Sequence, residues 1–102
     1  METESGRKRI YIAGPVSGLD YEYACGHFID AEKRLHEKGW DVVNPVRLCS
    51  STWPWRKCMS VCLKAMLDCD GIYMLKGWKK SRGAKLEHFI ALKLGIEILL
   101  EK

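Results

Sequence analysis

The chain has 102 residues, of which 47% are hydrophobic and 29% are charged, and its formal net charge is +4. This length suits one compact domain, and this hydrophobic fraction is typical of a folded protein rather than a disordered one. No apolar run approaches the length of a membrane span, and the positive charge is too mild and too dispersed to indicate binding to duplex nucleic acid.

The start of the chain differs from the rest in composition. Its first eight residues, METESGRK, are mostly polar or charged. We expect a flexible leader over residues 1–8 and one domain over residues 9–102. Because this start lacks the apolar core of a signal peptide, we expect a cytoplasmic location and no membrane partner.

Strands and helices are predicted to alternate along the chain. Short apolar runs predict strands at Arg9–Ala13, Asp41–Asn44, Gly71–Leu75 and Ile96–Leu100. Apolar residues at three- and four-residue steps predict helices at about Asp20–Lys38, at about Arg56–Leu67, and from Ser81 to about Leu94.

This order of elements predicts an α/β fold. We expect a single-domain, flavodoxin/Rossmann-like parallel sheet of four to five strands with helices on both faces. Ligands of such sheets bind at the carboxyl ends of the strands, beside the point where the strand order reverses. Residues 14–18, 44–47 and 76–78 and the start of the third helix should therefore meet at one edge.

Glu87 lies in the middle of the apolar stripe of the third helix. A carboxylate on a core-facing stripe is costly unless it has a partner or a function. One interpretation is an acid in an open pocket, kept ionised by the helix N-terminus one turn away. The other is a buried glutamate paired with Lys76 or Arg47.

Ser81 and Gly83 stand at the start of the same helix. Ser81 suits an N-cap, and the free amides beside a cap also suit a small anion such as a phosphate. Gly83 is a poor helix former, so it indicates either clearance for a ligand below Glu87 or the close approach of a neighbouring strand. Ser81 precedes Glu87 by six residues, or roughly 9 Å along the helix axis.

Two further residues are candidates for the chemistry. Asp70 precedes the third strand, where an acid commonly ends a helix-to-strand turn; a catalytic acid is the alternative. Tyr11 lies on the first strand, either as a core residue or with its hydroxyl orienting a neighbouring carboxylate.

The loop GPVSG follows the first strand and lacks both GxGxxG and the P-loop lysine. It is too short for a dinucleotide or a triphosphate, but it allows backbone to approach a sugar or a monophosphate. Trp78, Trp53 and Trp55 are predicted near the same edge. They could stack on a nucleobase, or they could be buried in a subunit interface. The second role is the more common one for such residues.

The five cysteines contain no CxxC pair. Cys58 and Cys62 are one helical turn apart, so a metal pair is conceivable. Small core residues in a reducing compartment are the favoured interpretation. We expect no structural metal and no cofactor.

Together these motifs resemble the nucleoside 2-deoxyribosyltransferase-like superfamily, over about Ile10 to Leu99. The resemblance rests on YIAGPVSG after the first strand, CDGIYMLKGW around the third, and SRGAKLE at the third helix. The last segment is also similar to the 2′-deoxynucleoside 5′-monophosphate N-glycosidases.

The resemblance implies a role for several residues. Glu87 matches the nucleophile that attacks the anomeric carbon, Tyr11 a tyrosine that positions it, and Asp70 an acid that binds the sugar or handles a proton. Ser81 matches a phosphate-contacting serine. The residues expected to bind substrate are Gly14, Pro15, Ser17, Gly18, Asn44, Trp78, Ser81 and Gly83.

The implied function is cleavage or transfer of the N-glycosidic bond of (deoxy)nucleosides or their 5′-monophosphates. The basic residues beside Trp78 favour a phosphorylated ligand and a hydrolase over a transferase. The alternative is a non-catalytic nucleotide-binding or sensing module. We expect a homodimer or a higher homo-oligomer, because the domain is small and has several aromatic loops. The resemblance implies the same assembly.

Overall fold

The computed structural model describes residues 7–16 and 21–102. The parallel strands are β1 (Arg9–Ala13), β2 (Asp41–Val43), β3 (Gly71–Met74) and β4 (Glu97–Leu100). The helices are α1 (Tyr21–Glu37), α2 (Trp55–Leu67) and α3 (Arg82–Leu94), and short 3-10 helices span Pro45–Arg47 and Trp78–Lys80. These bounds lie within a residue or two of those predicted.

The four strands form one parallel sheet in the order β2-β1-β3-β4. Chain order reverses between β1 and β3, since β2 lies on one side of β1 and β3 on the other. A crevice at the carboxyl ends of these two central strands is the usual ligand position in such a sheet. The predicted α/β, Rossmann-like fold is confirmed.

Alternate residues of β1 face opposite sides of the sheet, as the period of a strand requires. Ile10 and Ile12 pack with Phe28, Ala31 and Leu35 of α1. On the other face, β1 and β3 pack against α2 and α3. The buried residues of that second cluster are Tyr11, Ala13, Cys62, Met66, Cys69, Ile72, Met74, Ala84 and Ala91. Helices therefore cover both faces, as predicted.

Local signals fix the ends of α3. The Ser81 hydroxyl accepts a hydrogen bond from the Ala84 amide at 3.1 Å, which caps the first turn. Gly95 ends the helix in the left-handed region, at φ 75°. Glu87 lies on the side of α3 that faces β1, where its carboxylate contacts Tyr11.

No helix in residues 7–16 and 21–102 is both long enough and apolar enough to cross a membrane.

Candidate functional site

A cavity of about 570 Å³ opens at the carboxyl ends of β1 and β2 and beside the first turns of α3. Gly14 follows β1, Pro45 follows β2, and Ser81 caps α3. Three of the four segments predicted to converge therefore border the cavity, whereas none of residues 76–78 lines it. Its lining residues include Tyr11, Gly14, Cys49, Trp53, Trp55, Cys58, Met59, Cys62, Lys80, Ser81, Arg82, Gly83 and Glu87.

The carboxylate of Glu87 lies on the wall of this cavity and is only 5% exposed. The hydroxyl of Tyr11 donates a hydrogen bond to its Oε2 at 2.5 Å. Within residues 7–16 and 21–102 no cation forms an ion pair with this carboxylate, and Arg47 instead forms an ion pair with Glu32 at 2.9 Å. Glu87 is therefore a buried acid held by a neutral donor.

Burial governs the protonation of this pair. Removal from water raises the pKa of Glu87 to about 7, and the hydrogen bond from Tyr11 opposes this rise. Burial, and after it the charge of Glu87, raises the pKa of Tyr11 well above its ordinary value. Tyr11 is thus a neutral donor at neutral pH, while Glu87 is divided between its two forms. Desolvation is the largest influence on the pKa of Glu87.

Gly83 serves the contact between α2 and α3. A Cβ atom at this position would lie 3.0 Å from the sulfur of Met59 and 3.6 Å from Nε1 of Trp55. The neighbour expected at Gly83 was a ligand or a strand. The structure instead places α2 side chains there, and they form part of the cavity wall.

Residues 8–100 match the family model DUF4406, described as a domain of unknown function. The chain belongs to this family. The DUF4406 match contains β1 to β4 and every residue that lines the cavity. No curated protein matches the chain at a significant level.

Within the DUF4406 domain, five of the predicted site residues meet at the cavity. They are Tyr11, Gly14, Ser81, Gly83 and Glu87. Ser17 and Gly18 lie outside the described residues.

Asp70 lies elsewhere. It is exposed and precedes β3, at the amino ends of the strands, and its carboxylate accepts a hydrogen bond from the Arg9 amide at 2.8 Å. The cavity is at the opposite ends of the strands. Asp70 therefore joins the starts of β1 and β3. This is the structural role predicted for it, and we do not include it in the proposed site.

Asn44, Trp78 and Pro15 are near the predicted edge but do not line the cavity. The buried side chain of Asn44 caps the 3-10 helix at Pro45–Arg47 by accepting from the Val46 amide. The ring of Trp78 stacks on His88 with centroids 4.3 Å apart. Pro15 borders a second cavity with Lys76.

Of the three tryptophans predicted near this edge, Trp53 and Trp55 line the cavity and Trp78 does not. The guanidinium of Arg82 lies 3.7 Å from the ring centroid of Trp55. One feature of the site was not predicted. Cys49 and Cys58 are joined in a disulfide at the cavity wall, so the expectation that Cys58 is a separate core thiol is wrong. The prolines and tryptophans before α2 were the available signal for a loop folded over the edge.

Proposed function

We propose that this protein cleaves or transfers the N-glycosidic bond of (deoxy)nucleosides or their 5′-monophosphates through a covalent glycosyl-Glu87 intermediate. The observation that carries the proposal is a buried carboxylate, hydrogen-bonded only to a neutral phenol among its described contacts, on the wall of a cavity large enough for such a ligand. The resemblance to the nucleoside 2-deoxyribosyltransferase-like superfamily gives this geometry its chemistry.

The proposed first step uses the ionised form of Glu87. One carboxylate oxygen attacks C1′ of the sugar, a C1′–O bond forms, and the C1′–N bond breaks. The base leaves with the bonding electron pair and takes up a proton. Water, or a second base, then attacks C1′ and releases Glu87, so the configuration at C1′ is retained.

Tyr11 is a positioning residue in this scheme. Its donated hydrogen bond holds Oε2 of Glu87 and lowers the pKa of the carboxyl group against the effect of burial. Because Tyr11 is fully buried on a central strand, it fixes the carboxylate with little freedom. That fixed orientation reduces the cost of reaching C1′.

The rest of the cavity supports a nucleotide. Lys80, Ser81 and Arg82 line it at the start of α3, where cations and a helix N-terminus favour a phosphate. Trp53 and Trp55 supply indole rings on which a base can stack. One cavity is therefore lined by an acid that can react with the sugar, cations that can bind the phosphate and aromatic rings that can stack on the base.

Release of free base is the direct test. Purified protein is incubated separately with each common deoxynucleoside and its 5′-monophosphate, and products are separated by chromatography. We expect free base from at least one, and an intact mass that increases by the glycosyl group when a slow substrate analogue is used. No release from any compound, with a folded sample, would refute the proposed activity.

Glu87→Ala separates the enzyme from the binding-module alternative. In an enzyme this variant loses turnover yet keeps much of its nucleotide affinity, measured by thermal shift. If wild-type protein binds a nucleotide without releasing base, the non-catalytic nucleotide-binding module is the correct function. Glu87→Gln is the conservative partner because it preserves shape and removes the nucleophile.

We also propose that the protein forms homo-oligomers. Phe89, Leu92 and Leu94 of α3 and Leu100 of the edge strand β4 are each more than half exposed. Exposed apolar side chains grouped on neighbouring elements favour a subunit contact. Light scattering coupled to gel filtration should give a mass above that of one chain, and a monomer at all concentrations would refute this.

A further inference from the structure

Three cysteines from two segments meet at the wall of the cavity. Cys49 lies in the loop before α2, and Cys58 and Cys62 lie one turn apart on α2. Their sulfur atoms are all within 4.8 Å of one another. The sulfur of Cys62 is 3.5 Å from that of Cys49 and 3.9 Å from that of Cys58, which are bonded to each other.

These distances suit a metal ion bound by sulfur. A tetrahedral zinc site has Zn–S bonds of about 2.3 Å, which place its sulfur atoms ~3.8 Å apart. Both distances from Cys62 are within a few tenths of an ångström of that value. The third distance is a covalent bond here, and reduction of the bond allows those two sulfurs to separate.

We propose that the reduced form of this protein binds one zinc ion through the thiolates of Cys49, Cys58 and Cys62. A dithiol or phosphine reductant supplies two electrons, and two protons complete the two new thiols. Zinc then displaces one proton from each of the three thiols. The disulfide and the zinc site exclude each other, because the same two sulfurs make both.

The fourth coordination position would be open. All three cysteines line the cavity that also contains Glu87, Lys80 and Arg82. Three protein ligands with a free position facing a cavity are the arrangement of zinc sites that bind water or a ligand, whereas structural sites have four protein ligands. We infer that an anion attracted by Lys80 and Arg82, or water, occupies this position.

This inference does not rest on the proposed glycosidase activity, and its test does not measure activity. Protein reduced with a phosphine under argon is titrated with Co²⁺ as a spectroscopic probe for Zn²⁺. We expect a sulfur-to-cobalt charge-transfer band, the visible bands of tetrahedral cobalt, and loss of both on addition of one equivalent of Zn²⁺. The oxidised protein should show none of these.

Variants identify the ligands. Cys62→Ser should weaken cobalt binding by at least about tenfold, since loss of a direct ligand costs more than loss of a supporting contact. Cys25→Ser, on α1 and outside the cluster, is the matched control and should bind as wild type does. Cys49→Ser tests the loop ligand if Cys62→Ser, which alters a buried position, fails to fold.

Two results would overturn the inference. One is a reduced, folded protein that gives no charge-transfer band with excess Co²⁺. The other is equal binding by wild type, Cys62→Ser and Cys49→Ser. Zinc should also raise the melting temperature of the reduced protein but not of the oxidised protein, because only the reduced native state binds the ion.

Discussion

The hydroxyl of Tyr11 and the carboxylate of Glu87 are 76 positions apart in the chain and form a buried hydrogen bond of 2.5 Å. Tyr11 comes from the central strand β1, and Glu87 comes from the helix that packs on the same face of the sheet. Their contact fixes an acid at the edge of the cavity.

The first prediction concerns stability and pH. The pKa of Glu87 is about 7 in the folded protein against the ordinary value of 4.5, so the native state holds more protons than the unfolded state between these values. The free energy of unfolding therefore falls as pH rises from about 4.5 to about 7, by about 3 kcal/mol for a shift of this size. Glu87→Gln cannot ionise, so it should match wild type near pH 4 and be more stable at pH 8, measured by urea unfolding. Glu22→Gln, on the exposed first turn of α1, is the control and should show no such difference in stability. A Glu87→Gln variant that is less stable than wild type at pH 8 would contradict the prediction.

The second concerns Tyr11→Phe. The lost hydroxyl removes the hydrogen bond that lowers the pKa of Glu87, so this pKa should rise further. We expect kcat/KM for base release to fall about tenfold at pH 7 and to recover at higher pH, since more of Glu87 is then ionised. Tyr73→Phe, on the opposite face of the sheet, is the matched control. A fall in rate that is uniform across pH would mean that Tyr11 acts only through packing.

The third concerns Gly14, which follows β1 at the cavity. A Cβ atom there would lie 2.8 Å from both Cβ and Cδ1 of Leu75, a fully buried side chain. Gly14→Ala should lower the free energy of unfolding by about 1–3 kcal/mol, the usual cost of overpacking. Gly26→Ala, in the interior of α1 with no atom within 4 Å of the new Cβ, should raise it by up to about 1 kcal/mol. Equal effects of the two variants on chemical denaturation would show that Leu75 moves aside.

The fourth concerns Ser81. Ser81→Ala removes the cap on α3 and should cost about 1 kcal/mol of stability. Ser81→Asp keeps a capping oxygen but adds a negative charge where we place a phosphate. We expect Ser81→Asp to retain wild-type stability and nucleoside activity while its KM for the monophosphate rises by at least about tenfold. If monophosphate and nucleoside are affected alike, the phosphate does not bind at this end of the helix.

Much of this molecule follows from local sequence. The apolar runs and glycines placed the strands and helices, and alternation of the two predicted the parallel sheet, because each signal acts over a few residues. The pattern of α3 also placed Glu87 on a buried face, since its neighbours at three- and four-residue steps are apolar. Such features require no knowledge of what packs against them.

Tertiary packing decided the rest. No local signal shows that Tyr11, rather than Lys76 or Arg47, meets Glu87, or that burial raises the pKa of that acid. Asp70 is adjacent to a predicted site strand in the sequence, yet it lies at the opposite end of the sheet because a parallel strand separates its two ends in space. Cys49 and Trp53 line the cavity because the loop before α2 lies across the edge. Trp55, Cys58 and Cys62 line it because α2 packs beside α3. Side chains distant in sequence meet only when the sheet order is fixed, and desolvation depends on that whole arrangement.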